Sequence, residues 1–531
     1  MDKGAKTINH IAYAMALGCV LLYIFYAFTP YMMQAMQVDI AYLSQSAGRM
    51  LNGISMKDGY YDTNPPLSIM LYIPIVILHK ITALPIYTCL YIFGGGCLAL
   101  SCVLIYRLIK LSKWMETEQT HLLILSYITA NLLLTGHEFG QREHFLIMAL
   151  CPLILVQILS TYQISIPTSL KWVSLIWGSI FILLKPHYGI IPLCLFIHRA
   201  YTQKRLFVIR DHDFLSLSAC ALLYLGITVI FFYDFVSEIA PDVMRFYVTP
   251  PQSQTMFDAL IFIALSIGLM FTSLYALKKP DYFMTGLSII AFLCVIPLYL
   301  QGYGFIYHSI PTIIMIFCSA SMFLYRYSLE AQNNKPLPKI SAVLSAAIML
   351  FFAHQVSITL DRPTHSQYEE TQLVRILKQC DRPDCSFFMF HDTISITHEL
   401  SVYSGQEHAS RFPTLWFIPY FMNNNWGANS PEETQHFNTY LTMLNEDFDT
   451  YQPDTLLIGH PWLNEEQTLD IISDLSRISP DFKKIIDGYE KTETITVDRK
   501  AYIGAELQAA VPGPITFDVY RKMPLNRSND F

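Results

Sequence analysis

The distribution of apolar residues divides the chain near residue 360. Before that point, long apolar runs alternate with short polar connections, and a run of about 20 residues is enough for a helix to cross a bilayer. Such runs cover residues 10–29, 86–106, 120–136, 145–161, 172–184, 189–199, 213–233, 257–277, 282–300, 309–325 and 340–358, the shorter ones needing to lie tilted or shielded. The pattern predicts an α-helical polytopic membrane domain over residues 1–360, with about eleven spans.

The pattern changes from about Asp361 onward. Short alternating apolar runs at Ser386–Phe390, Thr455–Ile458, Thr492–Val497 and Ile515–Tyr520 are typical of strands. Between them, Glu369–Leu377 and Glu465–Leu475 have the periodicity of helices. Residues 361–531 are therefore predicted to form one α/β domain of ordinary domain size.

Composition supports the membrane prediction and excludes other classes. The chain is 53% hydrophobic and 15% charged, whereas globular proteins are about 25% charged. A net charge of -7 lacks the basic stripe that nucleic-acid binding needs, so no nucleic-acid partner is expected. Lys3 and Lys6 precede the apolar run Ile11–Phe28, but no small-residue cleavage site follows it. We interpret the run as a retained signal anchor.

Loop charges decide whether the extra apolar run Leu67–Leu78 crosses the membrane, because cytoplasmic loops are enriched in Lys and Arg. If this run does not span and the N-terminus is cytoplasmic, the cytoplasmic side carries Lys3, Lys6, Arg107, Lys110, Lys113, Lys171, Arg199, Lys204, Arg205, Arg210, Lys278, Lys279, Arg326, Lys335 and Lys339. The outside then carries Arg49, Lys57, Lys80, Arg142, Lys185 and Arg245. If the run spans, the bias reverses from Arg107 onward. We therefore predict a shielded, non-spanning segment and an external C-terminal domain.

This topology places the unusual polar motifs on the same side of the membrane. They are Asp39, Asp62–Pro66, His137–His144, Lys185–Tyr188, Tyr233–Phe257 and Gln301–His308. It also places Cys380 and Cys385 in an oxidising compartment, where the pair could close a small loop, with two free thiols as the alternative. The other nine cysteines lie in apolar segments, and no Cys/His spacing matches a zinc site.

The stretch that follows the first apolar run resembles a known family. Asp39 comes first, then an Ala/Arg-containing segment with Ala47 and Arg49, and then Asp62-Thr-Asn64-Pro-Pro-Leu67. This arrangement is similar to the GT-C superfamily of membrane glycosyltransferases, which includes the lipid A aminoarabinose transferases and the protein O-mannosyltransferases. The resemblance covers the N-terminal two-thirds of the chain. It assigns residues 30–85 to a catalytic external loop.

The resemblance implies a glycosyltransferase of a bacterial inner membrane. The donor would be a polyprenyl-phosphate-linked sugar, and the acceptor an envelope glycan, lipid or protein on the periplasmic or external face. Asp39 would be the general base and Glu143 a second acidic residue that positions the acceptor or a divalent metal. In the structural alternatives, Asp39 caps the following helix, and Arg142 pairs with Glu138 or Glu143. No cofactor is assigned, and metal dependence stays open.

A further set of polar residues could bind substrate. Its members are Arg142, Lys185, His187, Arg49, Tyr61, Asp62, Asn64 and His308. The forked guanidinium of Arg142 suits a phosphate, and Lys185 could be its counter-charge or could extend to the interface. The same choice between ligand binding and a structural role applies to Gln301, Tyr307 and His308. A structural role fits better for Arg49, Tyr61 and Arg245. Asp62-Thr-Asn64 departs from relatives that place Glu-Lys or His before the prolines, so the donor type stays open.

Two other classes of protein remain alternatives. A flippase of lipid-linked sugars should bury charged residues in mid-span and pair broken helices between two halves. In this sequence the charges cluster at one end of the spans, and no symmetry between halves is visible. A non-enzymatic scaffold for the external domain would need neither Asp39 nor Glu143.

Overall fold

The protein is described from a computed structural model. It covers residues 2–205, 210–247, 253–275, 281–302, 305–330, 362–380, 382, 384–391, 396–424, 426, 428, 430–460, 471–498, 501–502 and 514–523. The predicted span 340–358 lies outside these residues, as does most of the predicted helix Glu465–Leu475.

The described chain is mostly helical before residue 331 and mixed after residue 361. The helices of the first part are α1 (Asp2–Met32), α2 (Val38–Leu51), α3 (Met56–Gly59), α4 (Pro66–Met70), α5 (Ile73–Thr82), α6 (Ile86–Ser112), α7 (Thr117–Thr129), α8 (Arg142–Thr161), α9 (Thr168–Ile182), α10 (Ile190–Gln203), α11 (His212–Phe231), α12 (Ala240–Phe246), α13 (Ser253–Tyr275), α14 (Tyr282–Leu300) and α15 (Ile306–Glu330). Single π-helical turns at Ala130–Leu134 and Phe235–Ile239 and 3-10 turns at Gly136–Glu138 and Pro186–Gly189 join some of them.

The second part alternates short helices with strands. Its elements are α16 (His365–Glu369), α17 (Gln372–Leu377), β1 (Ser386–Phe390), α18 (Thr397–Ser404), β2 (Glu407–His408), α19 (Ile418–Asn423), α20 (Pro431–Tyr451), β3 (Thr455–His460), α21 (Ile471–Ile478), α22 (Pro480–Ile486), β4 (Tyr489–Val497) and β5 (Ile515–Lys522). The four predicted strands all form, and the very short β2 is an addition that has too few residues to show alternation.

The described residues divide into two compact units. The helical unit consists of residues 1–32, 77–227 and 249–360, and the mixed unit of residues 33–76, 228–248 and 361–531. One division between the units falls between residues 360 and 361, and the assignment of two domains, 1–360 and 361–531, stays a prediction. Most of the loop predicted to be external, residues 33–76, groups with the C-terminal residues rather than with the apolar helices on either side of it.

The helical unit has the composition of a membrane bundle. By length and apolar character, seven helices of the described chain could cross a membrane: Met15–Met32, Ile86–Ser112, Arg142–Thr161, His212–Phe231, Thr255–Tyr275, Tyr282–Leu300 and Ile306–Ser328. The apolar helix Thr168–Ile182 is shorter. The seven candidate spans and the shorter helices α7, α9 and α10 together correspond to ten of the eleven predicted apolar runs. The total of eleven spans therefore stays a prediction.

Helix α8 is the centre of the helical unit. Its side chains are buried on nearly every face, whereas α11 exposes Leu222, Leu223 and Ile230, as expected where lipid covers apolar side chains. Close packing of α8 against α9 depends on Gly178. A Cβ atom there would lie 2.5 Å from the Cβ of Leu153, and small residues allow such close approach between membrane helices.

The predicted non-spanning run Leu67–Leu78 is a broken helix. Pro66 occupies the first turn of α4, where its fixed φ and missing N–H are tolerated. The helix ends at Met70, and α5 begins at Ile73 after a turn. Together the two pieces form the apolar stretch Pro66–Thr82, which is shorter than the candidate spans, so the predicted non-spanning placement stays a prediction.

The mixed unit is built on a five-stranded sheet with the order β2-β1-β3-β5-β4. Strand β1 pairs in parallel with β2 and β3, whereas β5 pairs antiparallel with β3 and β4. Phe387, Met389 and Leu457 enter the core on this sheet, together with Phe517 and Val519 of β5. Helical residues complete that core, among them Tyr368, Leu373, Leu377 and Leu400.

The start of the external loop is part of this same core. Ala35 is buried within it, and its N–H donates to the Pro363 carbonyl at 2.8 Å. The N–H of Met36 donates to the Tyr403 hydroxyl at 2.8 Å. Hydrogen bonds between residues so distant in sequence fix the entry to α2 against residues 361–531.

The predicted disulfide between Cys380 and Cys385 is confirmed. Its loop leads into β1, and Arg382 within the loop forms an ion pair with Asp454. The Asp454 carboxylate also accepts the N–H of Ser386 at 3.2 Å. The disulfide loop is thereby attached to the segment that begins β3.

Candidate functional site

The candidate site residues fall into two groups, one in each unit. Arg142, Glu143, Lys185, His187 and His308 lie in the helical unit, and Asp39, Arg49, Tyr61, Asp62 and Asn64 lie in the mixed unit. Each group is described by itself.

The helical unit contains a buried group of ionisable side chains around Glu143. The Glu143 side chain is fully buried, and Lys185 Nζ lies 3.2 Å from its Oε1 atom. His308 Nε2 lies 3.7 Å from the same oxygen. Lys185 also donates to Gln301 Oε1 at 2.8 Å. Three segments distant in sequence therefore converge on one carboxylate.

Arg142 adds a second cation to this group. Its side chain is 3% exposed, and its guanidinium carbon lies 6.0 Å from the centre of the Tyr307 ring. The Tyr307 and His308 rings contact each other edge to face, with centroids 4.5 Å apart. We call Arg142, Glu143, Lys185 and His308 the buried charge cluster. With His308 neutral, it contains two cations and one anion.

Local sequence explains why these side chains are at helix ends. Gly140 has a φ of +92°, and a Cβ there would lie 2.7 Å from Leu90 Cδ1, so only glycine fits this turn into α8. Glu143 then lies in the first turn of α8, where the helix dipole favours a carboxylate. Pro186 interrupts the chain after α9 and leaves Lys185 at the junction.

His187 and Tyr188 line the same junction. Burial, and then the positive charge of Lys185, lower the pKa of His187 to about 4, so the imidazole is neutral at neutral pH. The Tyr188 hydroxyl donates to the His308 carbonyl at 3.4 Å. His187 can therefore offer a neutral hydrogen-bonding group, while Lys185 and Arg142 supply positive charge.

The buried charge cluster has the properties of an anion site. Cations in a poorly hydrated environment attract an anion much more strongly than cations in water do. An arginine fork and a lysine point charge are the groups that proteins use for phosphate. Glu143 neutralises part of this charge, so an incoming anion would compete with it for Lys185.

In the mixed unit, Asp39 is not the cap of its helix. The N-cap of α2 is Gln37, whose side-chain Oε1 accepts the N–H of Ile40 at 3.1 Å. Asp39 lies in the first turn and is half-buried. From the sequence, the alternative to a catalytic role for Asp39 was capping of the following helix. Gln37 caps that helix instead, and the catalytic role of Asp39 stays a prediction.

Arg49, at the other end of α2, is occupied by protein groups. Its Nη1 donates to the carbonyls of Gly59 and Ser410 at 2.5 and 2.6 Å, and its Nη2 donates to the His408 carbonyl at 2.7 Å. Its Nη2 also lies 2.8 Å from Glu407 Oε1. The guanidinium thus joins the external loop to the strand β2 region. This geometry favours a structural role over the predicted substrate-binding role.

Tyr61 makes a comparable structural contact. Its hydroxyl donates to Asp242 Oδ2 at 2.7 Å, and the Tyr440 hydroxyl donates to the same oxygen at 2.6 Å. Burial, and then the hydrogen bond to Asp242, raise the pKa of Tyr61. Tyr61 therefore links residues 228–248 to α20, and Arg245 in the same segment pairs with Glu432 at 2.5 Å.

Asp62 and Asn64 organise the turn before the two prolines. Asn64 Nδ2 donates to Asp62 Oδ1 at 3.1 Å and lies 3.3 Å from Oδ2. Asp62 is 1% exposed. Burial, and then the negative charge of Asp62, raise the pKa of Tyr42 on α2, so Asp62 lies close to this helix. The turn therefore brings a second carboxylate toward the helix that carries Asp39.

A divalent metal is one of the alternatives for the role of Glu143, and it would need several ligand atoms close together. Within the described residues, one group of three potential ligands lies together, Cys380, Cys385 and Asp454. The two thiols of that group form a disulfide, so they cannot bind a metal as thiolates. Metal dependence therefore stays a prediction to be tested.

Sequence reasoning did not single out Glu399 or His398. Both lie in the first turn of α18 and are buried, with exposures of 5% and 2%. Gln45 Nε2 of α2 donates to the His398 carbonyl at 3.1 Å, and the Tyr42 and His398 rings lie 4.7 Å apart. A glutamate in a short helix without a distinct apolar face has no distinctive local pattern, so only the tertiary structure reveals this position.

The chain has the same fold as a solved glycosyltransferase of the GT-C superfamily, the superfamily that the sequence resembles. That solved protein is ArnT from Cupriavidus metallidurans, a lipid A aminoarabinose transferase. Its structure bound to undecaprenyl phosphate aligns with a TM-score of 0.52 at 10% identity, covering 97% of this chain and 98% of that chain. The apo structure aligns with a TM-score of 0.49 at 12% identity, covering 85% and 93%. The sequence itself matches no protein-family profile and no characterised protein.

Proposed function

We propose that the protein is a glycosyltransferase of the bacterial inner membrane that uses a polyprenyl-phosphate-linked sugar as donor. The observation that supports this most is the buried charge cluster in a chain with the GT-C fold. The ArnT structure with this fold binds undecaprenyl phosphate. A polyprenyl tail could remain in the bilayer while its phosphate contacts Arg142 and Lys185. The acceptor would be an envelope glycan, lipid or protein at the outer face of the membrane.

Asp39 is the proposed general base. It removes the proton of an acceptor hydroxyl while the oxygen of that hydroxyl attacks the anomeric carbon of the donor sugar. The bond between that carbon and the phosphate oxygen breaks, and the electron pair leaves with the polyprenyl phosphate. Arg142 and Lys185 stabilise the charge that develops on this leaving group. Gln37, and not Asp39, caps α2.

The positions of charged residues favour an enzyme over a flippase. Glu143 and His308 lie in the first turns of α8 and α15, and Lys185 follows α9. Among the candidate spans of the described chain, the other Asp, Glu, Lys and Arg residues also lie near helix ends. A flippase that moves a charged headgroup through the bilayer would need polar groups near mid-span.

Complementation of a knockout strain with Asp39→Asn tests the proposal, with envelope glycans measured by mass spectrometry. The substitution keeps the shape of the side chain but removes the basic oxygen. Transfer should fall by about 10²–10⁴-fold, the usual contribution of a general base. Binding of undecaprenyl phosphate should stay at the wild-type level. Asp449→Asn, an exposed change of the same type on α20, is the matched control. Wild-type transfer by Asp39→Asn would contradict the role of Asp39 as base.

A further inference from the structure

Gln301 is a polar residue beside the buried charge cluster that the proposed mechanism does not use. It follows the last residue of α14, and its N–H donates to the Pro297 carbonyl at 3.1 Å. Gly302 comes next with a φ of +77°, the left-handed conformation that commonly ends a helix and favours glycine. The buried Thr255 hydroxyl donates to the Gly302 carbonyl at 3.0 Å. These bonds fix the backbone from which the Gln301 side chain extends.

Two hydrogen bonds fix the orientation of the Gln301 side-chain amide. Its Nε2 atom donates to the Pro297 carbonyl at 3.3 Å, and its Oε1 atom accepts from Lys185 Nζ at 2.8 Å. The reversed orientation would set the amide oxygen against a carbonyl oxygen and the amide NH2 against an ammonium group, so neither bond could form. Gln301 therefore presents an acceptor, and not a donor, to Lys185.

The Lys185 ammonium group contacts both Gln301 and Glu143. Its Nζ atom lies 2.8 Å from Gln301 Oε1 and 3.2 Å from Glu143 Oε1. A lysine side chain has a flexible four-carbon stem, and its ammonium group can donate three hydrogen bonds. Two acceptors, one from α8 and one from the end of α14, restrict this freedom and hold the ammonium group within the buried charge cluster.

The two acceptors differ in charge, and this difference sets the net charge of the buried charge cluster. With His308 neutral, the cluster contains two cations and a single anion, Glu143. A carboxylate in place of the Gln301 amide would also hold Lys185, but it would add a second anion and cancel the remaining positive charge. Negative charge in a poorly hydrated environment opposes an anionic phosphate strongly. A neutral acceptor therefore holds Lys185 and preserves its charge for a ligand.

We propose that Gln301 is a positioning residue for the phosphate site: its neutral amide holds the Lys185 ammonium group without adding a second negative charge. Gln301 acts through Lys185 rather than on the donor itself. The inference rests on the proposed function in one respect, which is that Lys185 contacts the phosphate of the donor. The contribution of Gln301 to phosphate affinity can be measured without sugar transfer.

Binding of undecaprenyl phosphate to the full-length protein in detergent tests the role of Gln301. Gln301→Glu keeps the size of the side chain, and the adjacent ammonium group should keep the new carboxyl group ionised. Affinity should fall by about 10–100-fold, as for loss of a cation, because the added anion cancels the charge of Lys185. Gln435→Glu, the same change at an exposed position of α20, is the matched control and should bind as the wild type does.

Moving the negative charge supplies the decisive comparison. The double variant Glu143→Gln/Gln301→Glu exchanges the two acceptors, so that one carboxylate and one amide still flank Lys185. Its affinity should return to within about threefold of the wild type, because the net charge of the cluster is restored. A purely structural role for Gln301 predicts no such recovery, since two disturbed positions lower affinity at least as much as one. Wild-type affinity in Gln301→Glu would overturn the inference, and so would a double variant as weak as Gln301→Glu alone.

Gln301→Leu shows whether the effect passes through Lys185, because it removes the acceptor without adding charge. Its affinity should lie between those of the wild type and Gln301→Glu, and this loss should disappear in a Lys185→Met background. An equal loss with and without Lys185 would overturn the inference. Wild-type affinity in Lys185→Met would contradict the phosphate contact of Lys185 and overturn the inference with it, whereas a loss of transfer in Asp39→Asn would still support the proposed enzyme.

Discussion

The Nζ atom of Lys185 lies 3.2 Å from the Oε1 atom of Glu143, and the Glu143 side chain is fully buried. This ion pair places a lysine and its counter-charge at the junction after α9. A phosphate that binds Lys185 must compete with Glu143 for the same ammonium group. The strength of that competition can be measured by removing either the cation or the anion and determining the affinity for phosphate.

Removing the cation should weaken donor binding. Lys185→Ala and Arg142→Ala should each reduce the affinity for undecaprenyl phosphate by about 10–100-fold, because a hydrogen bond to a charged group contributes about 1.5–3 kcal/mol. Binding to the detergent-solubilised protein is the measurement. Lys171→Ala, at the start of α9, is the matched control, since Lys171 contacts His212. Unchanged affinity in both cluster variants would exclude the buried charge cluster as the phosphate site.

Removing the anion should have the opposite effect on binding. Glu143→Gln frees Lys185 from its counter-charge, and affinity for undecaprenyl phosphate should rise by about tenfold, equivalent to about 1.4 kcal/mol. Transfer should nevertheless fall if Glu143 orients the acceptor or holds a metal. Added EDTA separates these roles, because it inhibits the wild type only if a metal is needed. Weaker binding by Glu143→Gln would contradict the competition.

Arg49 should matter for stability rather than for donor binding. Arg49→Ala leaves the carbonyls of Gly59, His408 and Ser410 without this donor. The free energy of unfolding should fall by about 2–4 kcal/mol, since a buried unsatisfied polar group costs about 1–3 kcal/mol. Arg49→Lys should restore the free energy of unfolding only in part, because one ammonium group cannot make all the hydrogen bonds of the forked guanidinium.

Thermal unfolding measures the effect of Arg49→Ala, and Arg375→Ala on an exposed position of α17 is the control. Undecaprenyl phosphate should still bind the folded fraction. If Arg49→Ala had wild-type stability but failed to bind undecaprenyl phosphate, Arg49 would belong to the substrate site after all.

Glu399 predicts a pH dependence of stability. Its pKa is about 8 in the folded protein, compared with about 4.3 for an unperturbed glutamate. The folded state therefore binds a proton more tightly than the unfolded chain does, and its contribution to stability is lost as the pH rises through about 8. Stability should therefore decline between about pH 4 and about pH 8, and thermal unfolding of Glu399→Gln should lack this component of the decline. Parallel declines in the two proteins would contradict the prediction.

The predicted topology is testable by cysteine labelling. In a background without free cysteines, single cysteines at positions 112 and 202 should be accessible from the cytoplasm, and at positions 64, 303 and 450 from outside. The reason is the excess of Lys and Arg in the loops assigned to the cytoplasm. Positions 64 and 112 on the same side would exclude the eleven-span arrangement.

Local patterns were sufficient for much of the fold. Apolar runs located helices such as α6 and α8, because lipid imposes length and composition on every span. Alternation located β1 and β3. The division of Leu67–Leu78 into two short helices also agrees with its local sequence, since Pro74 in the first turn of α5 has no N–H with which to continue α4.

The candidate site depended on contacts that no local pattern contains. Gln37 is not a favoured cap residue, so the sequence could not show that it, rather than Asp39, caps α2. Three of the four donor contacts of Arg49 require residues 407–410, more than 350 positions away. Glu399 is an ordinary glutamate until its burial is known.

The docking of the external loop has a consequence for how the protein is made. Met36 donates to the hydroxyl of Tyr403, which is 367 residues later in the chain. At ribosomal rates of about 5–20 residues per second, that partner is synthesised roughly 20–70 s after Met36. During this interval the loop is already joined to α1 but lacks the core in which Ala35 is buried. The nascent chain therefore exposes an unfinished surface until synthesis is almost complete, and that surface is a natural target for chaperones and proteases.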